Sequence, residues 1–100
     1  MARILLAEDD QSMREFLTRA LERSGHEVTA VADGLSALDA VSERAYDLLI
    51  ADIVMPGIDG IEVSRQASKV NADLKVLFIT GFAAVAMSAR EEMGDTKVLS

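Results

Sequence analysis

Three short apolar runs, each stopped abruptly by polar residues, constrain this chain more than any other feature. Ile4-Leu5-Leu6-Ala7 ends in Glu8, Asp9 and Asp10; Leu48-Leu49-Ile50-Ala51 ends in Asp52; the mainly apolar stretch Leu74 to Ile79 ends in Thr80 and Gly81. Runs of this length without polar alternation suit strands buried on both faces. Glu27 to Val31 alternates instead, so one of its faces is more polar, and it fits a sheet edge. Lys97 to Ser100 has the makings of one more strand.

Helical periodicity fills the gaps between the strands. Met13, Phe16, Leu17, Ala20 and Leu21 recur at helical spacing, Ser12 with Glu15 reads as a capping-box start, and Gly25 is a C-terminal stop. Leu35, Leu38 and Val41 mark a second helix after the Asp33-Gly34 turn. Met55-Pro56-Gly57 and Asp59-Gly60 are turn signals that lead into a third helix, about Ile61 to Val70. Ala83 to Met93 reads as a fourth. Five strands thus alternate with four helices, which predicts an α/β fold with right-handed crossovers and a doubly wound parallel sheet.

Composition narrows the class. One hundred residues, half of them apolar, make one domain with one modest core. A net charge of −7 and the lack of a basic stripe argue against nucleic-acid binding. The absence of cysteine removes disulfides and thiolate metal sites. The first apolar run is too short for a signal peptide or a membrane span, so a cytoplasmic protein without membrane contact is expected.

In open parallel sheets, ligands sit beyond the carboxyl ends of the strands, where strand order reverses. With order 2-1-3-4-5, the first and third strands are neighbours about 4.8 Å apart. Glu8, Asp9 and Asp52 then crowd into one cleft. Like charges that close raise pKa values or recruit a cation. Carboxylate oxygens without histidine or thiol suit Mg²⁺ completed by water. Thr80, on the adjacent strand end, adds a donor for a phosphoryl oxygen. An acidic cleft, a divalent ion and a hydroxyl make a workable phosphoryl-transfer site. Asp52 stands alone at the end of a central strand and is the best nucleophile; Glu8 and Asp9 look like metal ligands.

Ile4 to Asp10, Asp52-Ile53-Val54-Met55-Pro56-Gly57-Ile58-Asp59-Gly60, and Phe78-Ile79-Thr80-Gly81 together resemble the receiver domains of two-component response regulators, and the likeness runs over the whole chain. It implies the flavodoxin-like (CheY-like) fold and a phosphorylation-dependent signalling switch rather than an enzyme. Asp52 would take a phosphoryl group from a histidine kinase or a histidine phosphotransfer protein. The likeness further implies Mg²⁺ held by Asp9, Asp52 and the Val54 backbone carbonyl, with Glu8 acting through water. Thr80 would turn toward the acyl phosphate. Gly81 to Met87, with the N-terminal sequence, resembles stand-alone receivers that serve as adaptors for a cytosolic AAA+ protease. Regulated proteolysis, with the protease or its substrates bound through that segment, is the output this implies.

Two departures from the family pattern stand out. The chain ends at Ser100, one residue short of the lysine that usually closes the fifth strand, and Val98 stands where many receivers carry a switch aromatic. Residues 1–100 therefore read as a receiver domain truncated before its fifth helix, with a bare face that favours self-association. Other readings stay open: a non-phosphorylated interaction module of receiver ancestry, or a flavodoxin-like nucleotide or flavin module. A haloacid-dehalogenase-type phosphatase would need its Asp nucleophile on the first strand, which leaves Asp52 unexplained.

Overall fold

The computed structural model describes residues 1–79 and the backbone of strand residues 98–99. In chain order the elements are β1 (Arg3–Ala7), α1 (Gln11–Arg23), β2 (Glu27–Val31), α2 (Gly34–Glu43), β3 (Leu48–Asp52), α3 (Gly60–Val70), β4 (Lys75–Ile79) and β5 (Val98–Leu99). The sheet order is β2-β1-β3-β4-β5 and all four pairings are parallel. Order and edge position of β2 agree with the sequence reading. The helix expected over Ala83–Met93, together with Thr80, the Gly81–Met87 segment and Lys97, lies outside the described residues.

Side-chain alternation along the strands divides the apolar residues between two faces. Leu5, Ala7, Leu49 and Ala51 point to one face, where Ala37 and Val41 of α2 and Val63 and Ala67 of α3 complete a buried cluster. Ile4, Leu6, Ile50 and Ile79 point to the other, where Leu17 and Leu21 of α1 pack over them. Each fully buried Leu or Ile contributes about 1.5–3 kcal/mol relative to exposure. That sum anchors β1 and β3 as the rigid centre of the sheet.

Helix termini explain where each element stops. Asp10, Asp33 and Asp59 cap α1, α2 and α3, their carboxylates accepting from the amides of Met13, Ser36 and Glu62 at 2.8, 2.8 and 2.9 Å. The capping box expected at Ser12 and Glu15 is therefore corrected: the helix begins earlier, because the Asp10 carboxylate takes the Met13 amide and Ser12 is already inside the first turn. At the other end, Gly25 (φ +92°) donates to the Glu22 carbonyl at 2.9 Å and His26 to the Leu21 carbonyl at 3.2 Å. This paired closure needs a left-handed residue, which glycine supplies without strain.

Candidate functional site

The site is built by register. β1 and β3 pair Ala7 with Ala51, so the next residue on each strand line, Glu8 and Asp52, emerges side by side and on the same face. Both are buried, each 4% exposed, while Asp9 is exposed at the rim. Carboxylate oxygens of Glu8, Asp9 and Asp52 lie within 4.8 Å of one another.

Backbone donors hold two of these carboxylates. The Asp10 amide donates to Glu8 Oε2 at 2.9 Å, and the Val54 amide donates to Asp52 Oδ1 at 3.0 Å. Burial pushes the Glu8 carboxyl up to about 7; the Asp10 amide opposes this and neighbouring Asp52 adds to it. Burial also raises Asp52, against the pull of its bond from Val54, with Asp9 adding repulsion. No ion pair among the described residues reaches any of the three acids. Two buried carboxyls and an exposed one, all hard oxygen donors, fit a small divalent cation such as Mg²⁺ that keeps some of its waters.

The loop after Asp52 is folded tightly beneath the site. Met55 is buried in the α2–α3 cluster, Gly57 adopts φ +77°, and the Gly60 amide donates to the Ile53 carbonyl at 3.1 Å. A Cβ on Gly60 would sit 2.2 Å from the Asp52 carbonyl oxygen, so only glycine lets α3 begin there. Gly34 plays the matching part on α2, where a Cβ would meet the Ile58 carbonyl oxygen at 2.7 Å. Asp52 is thus set by a strand on one side and by two helix starts packed against its loop on the other.

Of the residues singled out in the sequence, Glu8, Asp9 and Asp52 are brought together, and Thr80 lies outside the described residues. Val54 is adjacent: its amide serves Asp52, and its carbonyl accepts no hydrogen bond among the described residues. Arg14 was not singled out. Its guanidinium Nη1 donates to the Glu8 carbonyl at 2.9 Å and to the Asp9 carbonyl at 3.4 Å. Its place one helical turn past the acids was the available signal.

Comparison with known proteins agrees with this geometry. The response regulator receiver domain family matches residues 4–96, and the chain belongs to that family of two-component signalling domains. It is 52% identical over 101 aligned positions to the response regulator receiver protein CpdR of Brucella abortus, covering all of this chain and 84% of that one. It is 41% identical over 78 residues to the response regulator MprA of Mycobacterium avium, but spans only 34% of MprA's length. Among solved structures, the Thermotoga maritima response regulator TrrA, crystallised with Mg²⁺ and BeF, superposes with a TM-score of 0.81 at 33% identity, over 100% of this chain and 87% of TrrA. The receiver domain of the hybrid histidine kinase CckA gives 0.74 at 33% identity, over 89% and 96%.

Proposed function

We propose that residues 1–100 act as one receiver unit in which Asp52 accepts a phosphoryl group from phosphohistidine on a histidine kinase or a histidine phosphotransfer protein. The observation that carries this reading is the buried Asp52 carboxylate, fixed at the end of a central strand within 4.8 Å of the Glu8 and Asp9 carboxylates. In the transfer, an Asp52 carboxylate oxygen attacks phosphorus. The O–P bond forms as the P–N bond of phosphohistidine breaks, and the imidazole leaves with the electron pair and takes up a proton. Glu8, Asp9, Asp52 and the Val54 carbonyl are the groups that would hold Mg²⁺. The ion supplies, when bound, the positive charge that lets one anion approach another. The Val54 amide keeps the Asp52 side chain oriented, and Thr80 is the hydroxyl assigned to a phosphoryl oxygen.

The domain promotes its own phosphorylation and dephosphorylation and then offers a changed surface to a partner. The likeness of Gly81–Met87 to protease-adaptor receivers supports a single-domain, cytoplasmic regulator of proteolysis that engages an AAA+ protease or its substrates there. No described helix is long and apolar enough to cross a membrane. Incubation with acetyl phosphate and Mg²⁺, followed by intact-mass measurement, tests the acceptor. One phosphoryl group is expected on the parent chain and none on Asp52→Asn, whose amide is not a competent nucleophile. Stable, undiminished labelling of Asp52→Asn would remove Asp52 from the role.

A further inference from the structure

The acids of the site are rigid for different reasons, and the difference singles out one residue. Glu8 is tied at three points: its amide donates to the Val31 carbonyl at 3.1 Å, its Oε2 accepts from the Asp10 amide, and its carbonyl accepts from Arg14. Asp9 is exposed and follows the last residue of the strand line. Its backbone carbonyl has one donor among the described residues, the Arg14 guanidinium. The Asp10 carbonyl, next in line, accepts from the Arg14 backbone amide at 2.9 Å. Arg14 therefore donates to three successive carbonyls, those of residues 8, 9 and 10.

Charge does not explain this. Arg14 has Asp9, Asp10 and Glu15 as near neighbours in the sequence, yet makes no ion pair among the described residues. A guanidinium presents donors in a planar, fixed fork, and a charge-assisted bond to a carbonyl is stronger than a neutral one. Spent on carbonyls, that fork sets backbone direction. With the carbonyls of residues 8 and 9 turned toward α1, the peptide planes that carry both acidic side chains are fixed.

We infer that Arg14 is a positioning residue for the cation site: it holds the Glu8–Asp9 backbone so that the two carboxylates face Asp52. The inference rests on the reading of Glu8, Asp9 and Asp52 as the Mg²⁺ site. It differs in sign from a purely electrostatic role. A cation beside an acid cluster repels Mg²⁺, so its removal would tighten binding, whereas loss of a positioning contact loosens it.

Calorimetric titration of the metal-free chain with Mg²⁺ alone decides between them. Arg14→Met, which keeps the apolar stem, should weaken Mg²⁺ binding about tenfold, as loss of an outer partner of a metal ligand does. Arg19→Met, on the same helix, should leave it unchanged, and the urea midpoint of metal-free Arg14→Met should stay close to the parent's. Phosphorylation of Arg14→Met by acetyl phosphate should be slow at low Mg²⁺ and recover at saturating Mg²⁺. Unchanged or tighter Mg²⁺ binding overturns the inference, as does a rate defect that saturating Mg²⁺ leaves in place. Should Arg14→Met fail to fold, Arg14→Gln keeps one amide donor and is expected to bind a few-fold more weakly; parent affinity in that variant also overturns it. Asp9→Asn separates the two levels. If it binds Mg²⁺ as the parent does, the site reading itself falls. If it binds weakly while Arg14→Met binds normally, only the role of Arg14 falls.

Discussion

The two faces of the sheet are built differently. On the α2–α3 face, each helix sinks three residues to full burial: Gly34, Ala37 and Val41 from α2, and Gly60, Val63 and Ala67 from α3. On the α1 face the helix has no fully buried residue, and Phe16 is 67% exposed. Small residues let these elements pack closely: there is no room for a Cβ at Gly34 against Ile58 and Val63, or at Gly60 against the end of β3. α1 instead lays Leu17 and Leu21, both only partly buried, against the apolar residues of the sheet. Glu8 and Asp52 share strand parity with Ile4, Leu6 and Ile50, so the acids belong to the α1 face, which is the less closely packed of the two among the described residues. A buried charge is tolerable where water and a cation have access, and the tightly packed face has room for neither.

The sharpest way to break this contrast is to truncate one apolar side chain on each face. Leu5→Ala, in the α2–α3 cluster, should cost about 3–4 kcal/mol by urea denaturation. Phe16→Ala removes a larger side chain yet should cost under about 0.5 kcal/mol, because little of it is withdrawn from water. A loss at Phe16 similar to that at Leu5 would show that Phe16 is buried in solution and that α1 packs more tightly than its exposure indicates. Gly60→Ala comes next, at about 2–3 kcal/mol, because its methyl must displace the Asp52 backbone. Mg²⁺ affinity should fall with it; a variant of parental stability would mean that α3 has slack against β3.

A smaller effect than either Leu5→Ala or Gly60→Ala concerns pH. Glu8 is raised from 4.5 to about 7 in the folded chain. An acid with a raised folded-state pKa contributes stability that is complete below the unfolded value and lost as pH rises through the folded one. Metal-free protein should therefore lose on the order of 1–2 kcal/mol between pH 4.5 and 7 from this group, discounted for its partial solvation. Glu8→Gln should flatten that slope. An equally steep fall in Glu8→Gln would place its origin elsewhere.

Much of this was legible in the sequence for identifiable reasons. Strands buried on both faces read as solid apolar runs, so β1 and β3 were visible within a residue, and the acids that end them fell where the sheet order brings them together. Local competition was harder to read. Ser12 with Glu15 fits a capping motif, and only geometry shows that it is the Asp10 oxygen that reaches the Met13 amide. Leu35 marks α2 by its spacing yet is 65% exposed, because the helix turns its alanine and valine side to the sheet. Arg14 stayed hidden because its partners are carbonyls, which every residue carries.

One further consequence follows from how α3 is fastened. Its first residue, Gly60, abuts the Asp52 carbonyl, and just past its last turn the Asn71 side-chain amide donates at 3.2 Å to the carbonyl of Tyr46, two residues before β3 begins. The helix, about 16 Å long at 1.5 Å per residue, is therefore pinned at both ends to the strand that carries Asp52. Helix and strand thus close into a hoop, joined at Gly60 and at Asn71. Close-packed interiors pass displacement on rather than absorb it. From the loop that leaves Asp52, a hydrogen bond also runs sideways across the sheet: the Ile53 amide donates to the Ile79 carbonyl of β4 at 2.8 Å, so the hoop is tied to its neighbouring strand as well.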